Sequence, residues 1–219
     1  MSQSLFGVYG SGGFGREVMP LARQQLQARG VPAQRLVFID DAPAAEIVNG
    51  HRVMTYGQFL AHEASERRAS IAIASSSARE RLAMRLAADG VLAWAVGASN
   101  VVVMDDVALG EGSILCPFVT ITSNVRIGRQ FHGNFYSYVA HDCVVGDYVT
   151  FAPAVRCLGN VVIEDHAYIG TGAVLRQGTP GNPLVIGRGA VVGMGAIVTK
   201  SVPPGVTVVG NPAKPLSKG

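Results

Sequence analysis

His141 is followed directly by Asp142, and an imidazole beside a carboxylate is a recurrent way to hold a general base near neutral pH. Two neighbouring side chains on a strand diverge, so this pair needs a bend in the chain to meet. The competing reading is a solvated histidine at a turn. Gly10-x-Gly12-x-x-Gly15 is the second candidate. Placed after a strand and at the start of a helix, it brings backbone N–H groups to a phosphate. Asp40, at the end of the next apolar stretch, could then reach a ribose hydroxyl. The competing reading is that Gly13 and Gly15 only let the helix lie close to the strand. His51 and His62 stand in polar stretches with no nearby partner and read as surface. His132, His141 and His166 lack the close pair a three-histidine zinc site needs. Cys116, Cys143 and Cys157 form no CxxC and leave an odd count, so neither a zinc ribbon nor a disulfide framework is expected. No metal is expected.

The composition narrows the field. Of 219 residues, 48% are hydrophobic and 15% charged, which excludes a disordered or charge-driven chain. The net charge is +3 with no basic run longer than a pair such as Arg67-Arg68, so nucleic acid is a poor partner. A cofactor carrying several phosphates suits the balance better. No basic leader precedes an apolar stretch, and no window is apolar enough to span a bilayer. The expectation is a soluble, cytoplasmic protein with no membrane insertion.

Two stretches of different period must position these residues. Residues 1–96 alternate between strand and helix patterns. Leu5–Tyr9 reads as a strand, and Val18, Ala22 and Leu26 mark one face of the helix after the glycines. Pro20 is expected to kink that helix and Gly30 to end it. Leu36–Ile39 and Ser70–Ala74 read as further strands. Thr55-x-x-Gln58 and Ser77-x-x-Glu80 read as capping boxes opening two more helices. This is an α/β unit of βαβ type, about half of a dinucleotide-binding domain.

From residue 97 to 219 the helical period gives way to a period of six. Stepping by six from Val103 through Leu109, Leu115, Ile121, Ile127, Gly133, Val139, Val145, Phe151, Cys157, Ile163 and Ile169 to Leu175 meets one exception, Gly133. Six residues rotate an α-helix through about 600°, so no helix keeps that row on one face. A parallel β-helix does: each six-residue segment is one side of a three-sided coil, with the apolar residue inward and a glycine turning the corner. The row slips across 176–183, read as a loop expelled from the prism, and resumes at Ile186, Val192 and Val198. On this pattern His141, two residues past Val139, projects near a coil edge.

Hexapeptides of this kind resemble the left-handed β-helix acyltransferases, and Val202–Lys214 resembles their closing segment. Gly10–Gly15, Phe38-Ile-Asp-Asp41, Ala140-His-Asp-Cys143 and Cys157-Leu-Gly-Asn160 occur in the order of bacterial nucleotide-sugar N-acetyltransferases. These are of the UDP-bacillosamine and GDP-perosamine type, with the related sialic-acid O-acetyltransferase-like proteins. The resemblance implies a nucleotide-sugar-binding N-terminal domain before a left-handed β-helix. It implies acetyl transfer from acetyl-CoA, a co-substrate, to the amine of a nucleotide-linked 4-amino-4,6-dideoxyhexose, by a homotrimer. On it, His141 is the base and Asp142 its orienting partner. Gly12, Gly13, Phe14, Asp40, Asp41 and Asn134 contact the nucleotide sugar, with Phe14 standing where relatives often carry histidine. Thr150, Gly159, Thr171 and Met194 line the coenzyme wall, the Gly159 N–H facing the thioester carbonyl. Lys200 and Lys214 are candidates for its phosphates. An O-acetyltransferase acting on a sugar hydroxyl and a non-catalytic nucleotide-sugar-binding scaffold are the alternatives. The base, the sugar and the pathway (capsule, lipopolysaccharide or protein glycan) stay open.

Overall fold

The computed structural model describes residues 4–216, which divide into two compact units between Ser99 and Asn100. In the first unit, β1 (Leu5–Tyr9), β2 (Leu36–Ile39), β3 (Ile47–Val48), β4 (His51–Met54), β5 (Arg67–Ile71) and β6 (Leu92–Ala93) form one sheet in the order β3-β4-β2-β1-β5-β6. Only the β3–β4 pair is antiparallel. The central strands β1 and β2 are buried throughout, as strands covered on both faces must be.

Helix α1 (Gly13–Gln27) runs through Pro20 without ending and buries Val18, Met19, Ala22 and Leu26. It ends at Gln27, three residues before Gly30, which takes the left-handed conformation (φ +70°). Helix α2 (Tyr56–Ala61) opens on the expected box: Thr55 accepts from the Gln58 N–H, and the Gln58 side chain accepts from the Thr55 N–H.

Three expectations are corrected here. Helix α3 (Ser76–Ala88) is capped by Ser75, whose hydroxyl accepts from Ala78 N–H, and not by Ser77. The physical reason lies in Arg79, fully buried and donating to the carbonyls of Ile73 and Ala74. That anchorage fixes the helix start against the end of β5. β5 itself begins at Arg67, three residues before the expected Ser70. Arg67 and Arg68 disguise it, although Arg67 is held by the carbonyls of Phe59 and His62. Thirdly, His51 is buried at 8% exposure, edge-on to Phe38 and 3.4 Å from Arg23. Burial holds its imidazole below the usual range, against a hydrogen bond at the Leu36 backbone that raises it. His62, half-buried, contacts the Glu63 carbonyl.

The second unit is a prism of parallel two- and three-residue strands. One face stacks Val102–Val103, Thr120–Ile121, Tyr138–Val139, Arg156–Cys157, Val174–Leu175 and Ile197–Val198. Neighbours along it are eighteen residues apart, as in Thr120↔Tyr138 and Tyr138↔Arg156. The six-residue row is buried from Leu115 to Leu175. Its first two members are not: Val103 is 45% and Leu109 40% exposed, because the first coil of a stack has a coil on one side only. A second row four residues further on is equally buried, including Val119, Val125, Phe131, Cys143, Val149, Val155 and Val161. The exception Gly133 belongs to both rows' logic. A Cβ there would meet the Phe131 ring at 3.0 Å, so Phe131 fills the space that Gly133 leaves and packs edge-on against Phe151.

The corners also differ from expectation. Residues with left-handed φ turn them every six positions from 106 to 172, and glycine stands only at Gly112 and Gly172; the others are Asp106, Phe118, Asn124, Gln130, Tyr136, Asp142, Tyr148, Ala154, Asn160 and His166. The glycines after the inward residues answer a different need. A Cβ on Gly128 or Gly146 would run into the next coil's backbone, at 2.7 Å from Gly146 C or Asp165 N.

The part that leaves the ladder is shorter than 176–183: Arg176 and Gly178 N–H still donate to the Val198 and Gly159 carbonyls of neighbouring coils, and the chain beyond them closes on itself through a Thr179↔Asn182 bridge. Beyond it the strand offset widens from eighteen to twenty-three (Val174↔Ile197), while the stack continues.

Candidate active site

Asp142 is one of the left-handed corner residues, at φ +57°, a conformation that Asp and Asn tolerate better than most side chains. This is the bend the dyad needs. It folds the carboxylate back so that Asp142 Oδ2 lies 2.7 Å from His141 Nδ1, both side chains about half exposed. The hydrogen bond to His141 holds the Asp142 carboxyl below its usual range, against a small opposing effect of burial and with help from the Asn124 amide. An ionised carboxylate can only accept. Nδ1 therefore carries the hydrogen, and in the neutral ring Nε2 presents its lone pair.

The next coil supplies the other half of the geometry. A Cβ on Gly159 would lie 2.5 Å from His141 Cε1 and 2.6 Å from Nε2, so the ring is seated in the space of a missing side chain. Gly159 is buried, its carbonyl accepts from Gly178 N–H, and its own N–H has no hydrogen bond among the described residues. The site thus places an accepting nitrogen beside a backbone donor, the two parts an addition to a carbonyl requires. The expelled segment is rooted on this corner, since Leu184 N–H also donates to the Asn160 carbonyl.

The remaining candidates fall into separate groups. Asn134 donates from Nδ2 to the Phe151 carbonyl at 2.7 Å, which leaves Oδ1 and the second Nδ2 hydrogen to act on a ligand. Thr150 is buried in its strand, whereas Thr171 and Met194 are exposed and adjacent: Gly195 N–H donates to the Thr171 carbonyl. Lys200 and Lys214, fourteen residues apart, line one cavity of about 320 Å³ with Thr199, Ser201 and Pro203. The C-terminal strand Lys214–Pro215 folds back antiparallel on Val208–Val209 to make that cavity. Among the described residues His132, His141 and His166 do not gather into a metal-binding group. His132 is buried, and His166 stacks on Tyr148.

In the first unit the glycines divide by role. A Cβ on Gly15 would overlap the Gly10 carbonyl oxygen, but Gly12 and Gly13 have nothing within 4 Å and are exposed at the start of α1. Gly15 serves packing; Gly12 and Gly13 leave backbone open to a ligand, with Phe14 half-buried behind them. Asp40 holds the loop, accepting from Ser11 N–H (3.2 Å) and Ser11 Oγ through Oδ2 and from Ala42 N–H through Oδ1. Burial pushes its carboxyl up, yet these three hydrogen bonds together bring it below the usual value. Asp41 accepts from Tyr9 Oη at 2.6 Å and lies 3.6 Å from Arg85. Ser11, Tyr9 and Arg85 were not among the sequence candidates; no spacing rule links them to the acids they hold.

Residues 6–86 match the PglD N-terminal domain family. Over 215 residues the chain is 48% identical to the GDP-perosamine N-acetyltransferase of Escherichia coli O157:H7, covering 98% of this chain and 97% of the relative. The chain belongs to the sugar N-acetyltransferases. Solved relatives agree with this acetyltransferase in fold. WeeI from Acinetobacter baumannii AYE superposes with a TM-score of 0.95 at 57% identity, over 97% of this chain and 100% of that one. A histidine-to-asparagine mutant of perosamine N-acetyltransferase from Caulobacter crescentus, in complex with CoA and GDP-perosamine, gives 0.86 at 26% identity, over 98% and 97%. The parallel β-helix expected from the hexapeptides, with the left hand expected from the family resemblance, is the fold of these relatives. No helix among the described residues is long and apolar enough to cross a membrane.

Proposed function

We propose that this acetyltransferase moves the acetyl group of acetyl-CoA to the amine of a GDP-linked 4-amino-4,6-dideoxyhexose, with GDP-perosamine the first substrate to test. The observation that carries the mechanism is His141, oriented by Asp142 and seated against Gly159. The amine attacks the thioester carbonyl carbon as Nε2 takes its proton. The carbonyl oxygen becomes an oxyanion facing the Gly159 N–H. Collapse breaks the carbon–sulfur bond, and the imidazolium returns its proton to the departing CoA thiolate. Such a base contributes ~10²–10⁴-fold and a backbone donor ~10²–10³-fold.

Gly12 and Gly13, open at the N-terminus of α1, suit the phosphates of the nucleotide. Asp40 and Asp41, already engaged within the protein, shape the loop and its surroundings. Lys200 and Lys214 suit the phosphates of the coenzyme, as point charges lining one cavity. We place the enzyme in the cytoplasm as a homotrimer, which sedimentation of the purified protein checks.

The test is acetyl-CoA consumption, read as released thiol, against UDP-, GDP- and dTDP-linked 4-amino sugars for the wild type and His141→Ala. Turnover with a GDP-linked amino sugar, lowered ~10²–10⁴-fold in the mutant, is the expected result. Turnover untouched by the mutation removes His141 as base. Turnover only with a hydroxyl acceptor replaces the reaction.

A further inference from the structure

The corner that holds the dyad is one of a column. Asp106, Asn124, Asp142 and Asn160 occupy the same corner on successive coils, all with left-handed φ. Backbone bonds tie the coils together there: Asn124 N–H donates to the Asp105 carbonyl, Asp142 N–H to Ser123, and Asn160 N–H to His141. Left-handed geometry accounts for Asp or Asn at each position, but it does not account for which of the two stands where. The side chains do. Asp106 is paired with Arg126, whose Nη2 lies 2.8 and 2.9 Å from its two oxygens. Asp142 is paired with His141 through Oδ2. Between them Asn124 donates from Nδ2 to Asp142 Oδ1 at 3.4 Å. A carboxylate at 124 would set two like charges at that distance with no cation between them.

We infer that Asn124 is a positioning residue for acetyl transfer: it fixes Asp142 Oδ1, which leaves Oδ2 aimed at His141 Nδ1 and keeps the accepting lone pair on Nε2. This rests on the reading of His141 as the base. Asn124 touches neither substrate nor reacting atom in this account, and it acts through Asp142 alone.

Two substitutions separate the amide from the backbone turn. Asn124→Gly keeps the left-handed φ without strain and removes the donor. Asn124→Asp keeps size and turn preference and replaces the donor by a like charge. Both are expected to lower kcat, the first about threefold to tenfold, the range of one net hydrogen bond, and the second more. KM for acetyl-CoA and for the amino sugar is expected to stay within about twofold. In an Asp142→Gly background, Asn124→Gly is expected to have no further effect, because its only route to His141 is gone. An unchanged kcat overturns the inference, as does an equal loss in both backgrounds or a raised KM at constant kcat.

Nitrogen-15 spectra of histidine-labelled protein, with His141→Ala for assignment, decide the matter independently of turnover. They report whether hydrogen sits on Nδ1 or Nε2. A shift of His141 toward the Nε2–H form in Asn124→Gly supports the inference, and an unchanged tautomer overturns it. Failure of the wild type to acetylate any amino sugar would instead strike the proposed function, and the spectra would still answer for Asn124.

Discussion

The glycine loop of the first unit and the His141 corner of the second achieve a similar result by different means. In the first unit a short backbone segment is held by side chains reaching from distant positions: Asp40 to Ser11, Tyr9 and Arg85 to Asp41. In the second, the backbone register does the holding, since residues one coil apart sit above each other whatever their side chains. A site built by side-chain hydrogen bonds is sensitive to the chemistry of its supports. A site built by register is sensitive to volume, because each coil leaves only the room its neighbours do not take.

Gly159→Ala is the sharpest way to break that contrast. The new Cβ claims the place of the His141 ring, and a displacement of about 1 Å at a reacting group can cost about 10²-fold in rate. Steady-state kinetics should show a fall of about that size in kcat, with a melting temperature close to that of the wild type. A rate within threefold of wild type would mean the ring has another seat.

The two faces of the glycine loop give the next test. Gly15→Ala, pushed against the Gly10 carbonyl, is expected to destabilise the N-terminal unit by about 1–3 kcal/mol, as overpacking does. Gly13→Ala faces open space in the first turn of α1 and is expected to leave stability equal or raise it by up to ~1 kcal/mol. It should nonetheless raise KM for the nucleotide sugar, because a methyl group blocks backbone approach. Chemical denaturation and KM together check both. Loss of stability in Gly13→Ala would show that this glycine, too, is structural.

The smallest effect concerns pH. Asp40 has a folded-state carboxyl below its unfolded value of about 3.9, so its contribution to stability is complete above that value. It is lost as pH falls through the depressed folded value. The stability difference between wild type and Asp40→Asn should therefore be constant from neutral pH to about pH 5 and shrink below about pH 4. Thermal melts across that range check it. A difference that grows on acidification would contradict the assignment of Ser11 and Ala42 as partners of the charged form.

How much of this was legible beforehand follows the same division. A register shows as a period, so the β-helix was readable from one apolar row. The second buried row carries the same period, apolar at every sixth residue from Val119 to Ala173 except the buried Ser137, and stepping by six from Val119 would have found it. The corner positions were hidden: Phe118, Gln130, Ala154 and His166 share a backbone conformation and nothing else. His141 and Asp142 were legible because they are adjacent, and Asn124 would have been found by stepping back one coil of eighteen. The meeting of Lys200 with Lys214 had no such signal, since the antiparallel return that makes their cavity lies outside the hexapeptide pattern.

The column Ser123–Asn124, His141–Asp142, Gly159–Asn160 also makes the prism a ruler. Its graduations are the coils, spaced by the ~4.8 Å between neighbouring strands. A hydrogen bond tolerates a heavy-atom separation of only about 3 Å, so a base moved by one graduation would no longer meet an acceptor nitrogen held in the same place. On the proposed role of His141, the coil on which the histidine stands would set how far along the axis a donor's thioester must extend, making length a criterion for substrate choice alongside shape and charge.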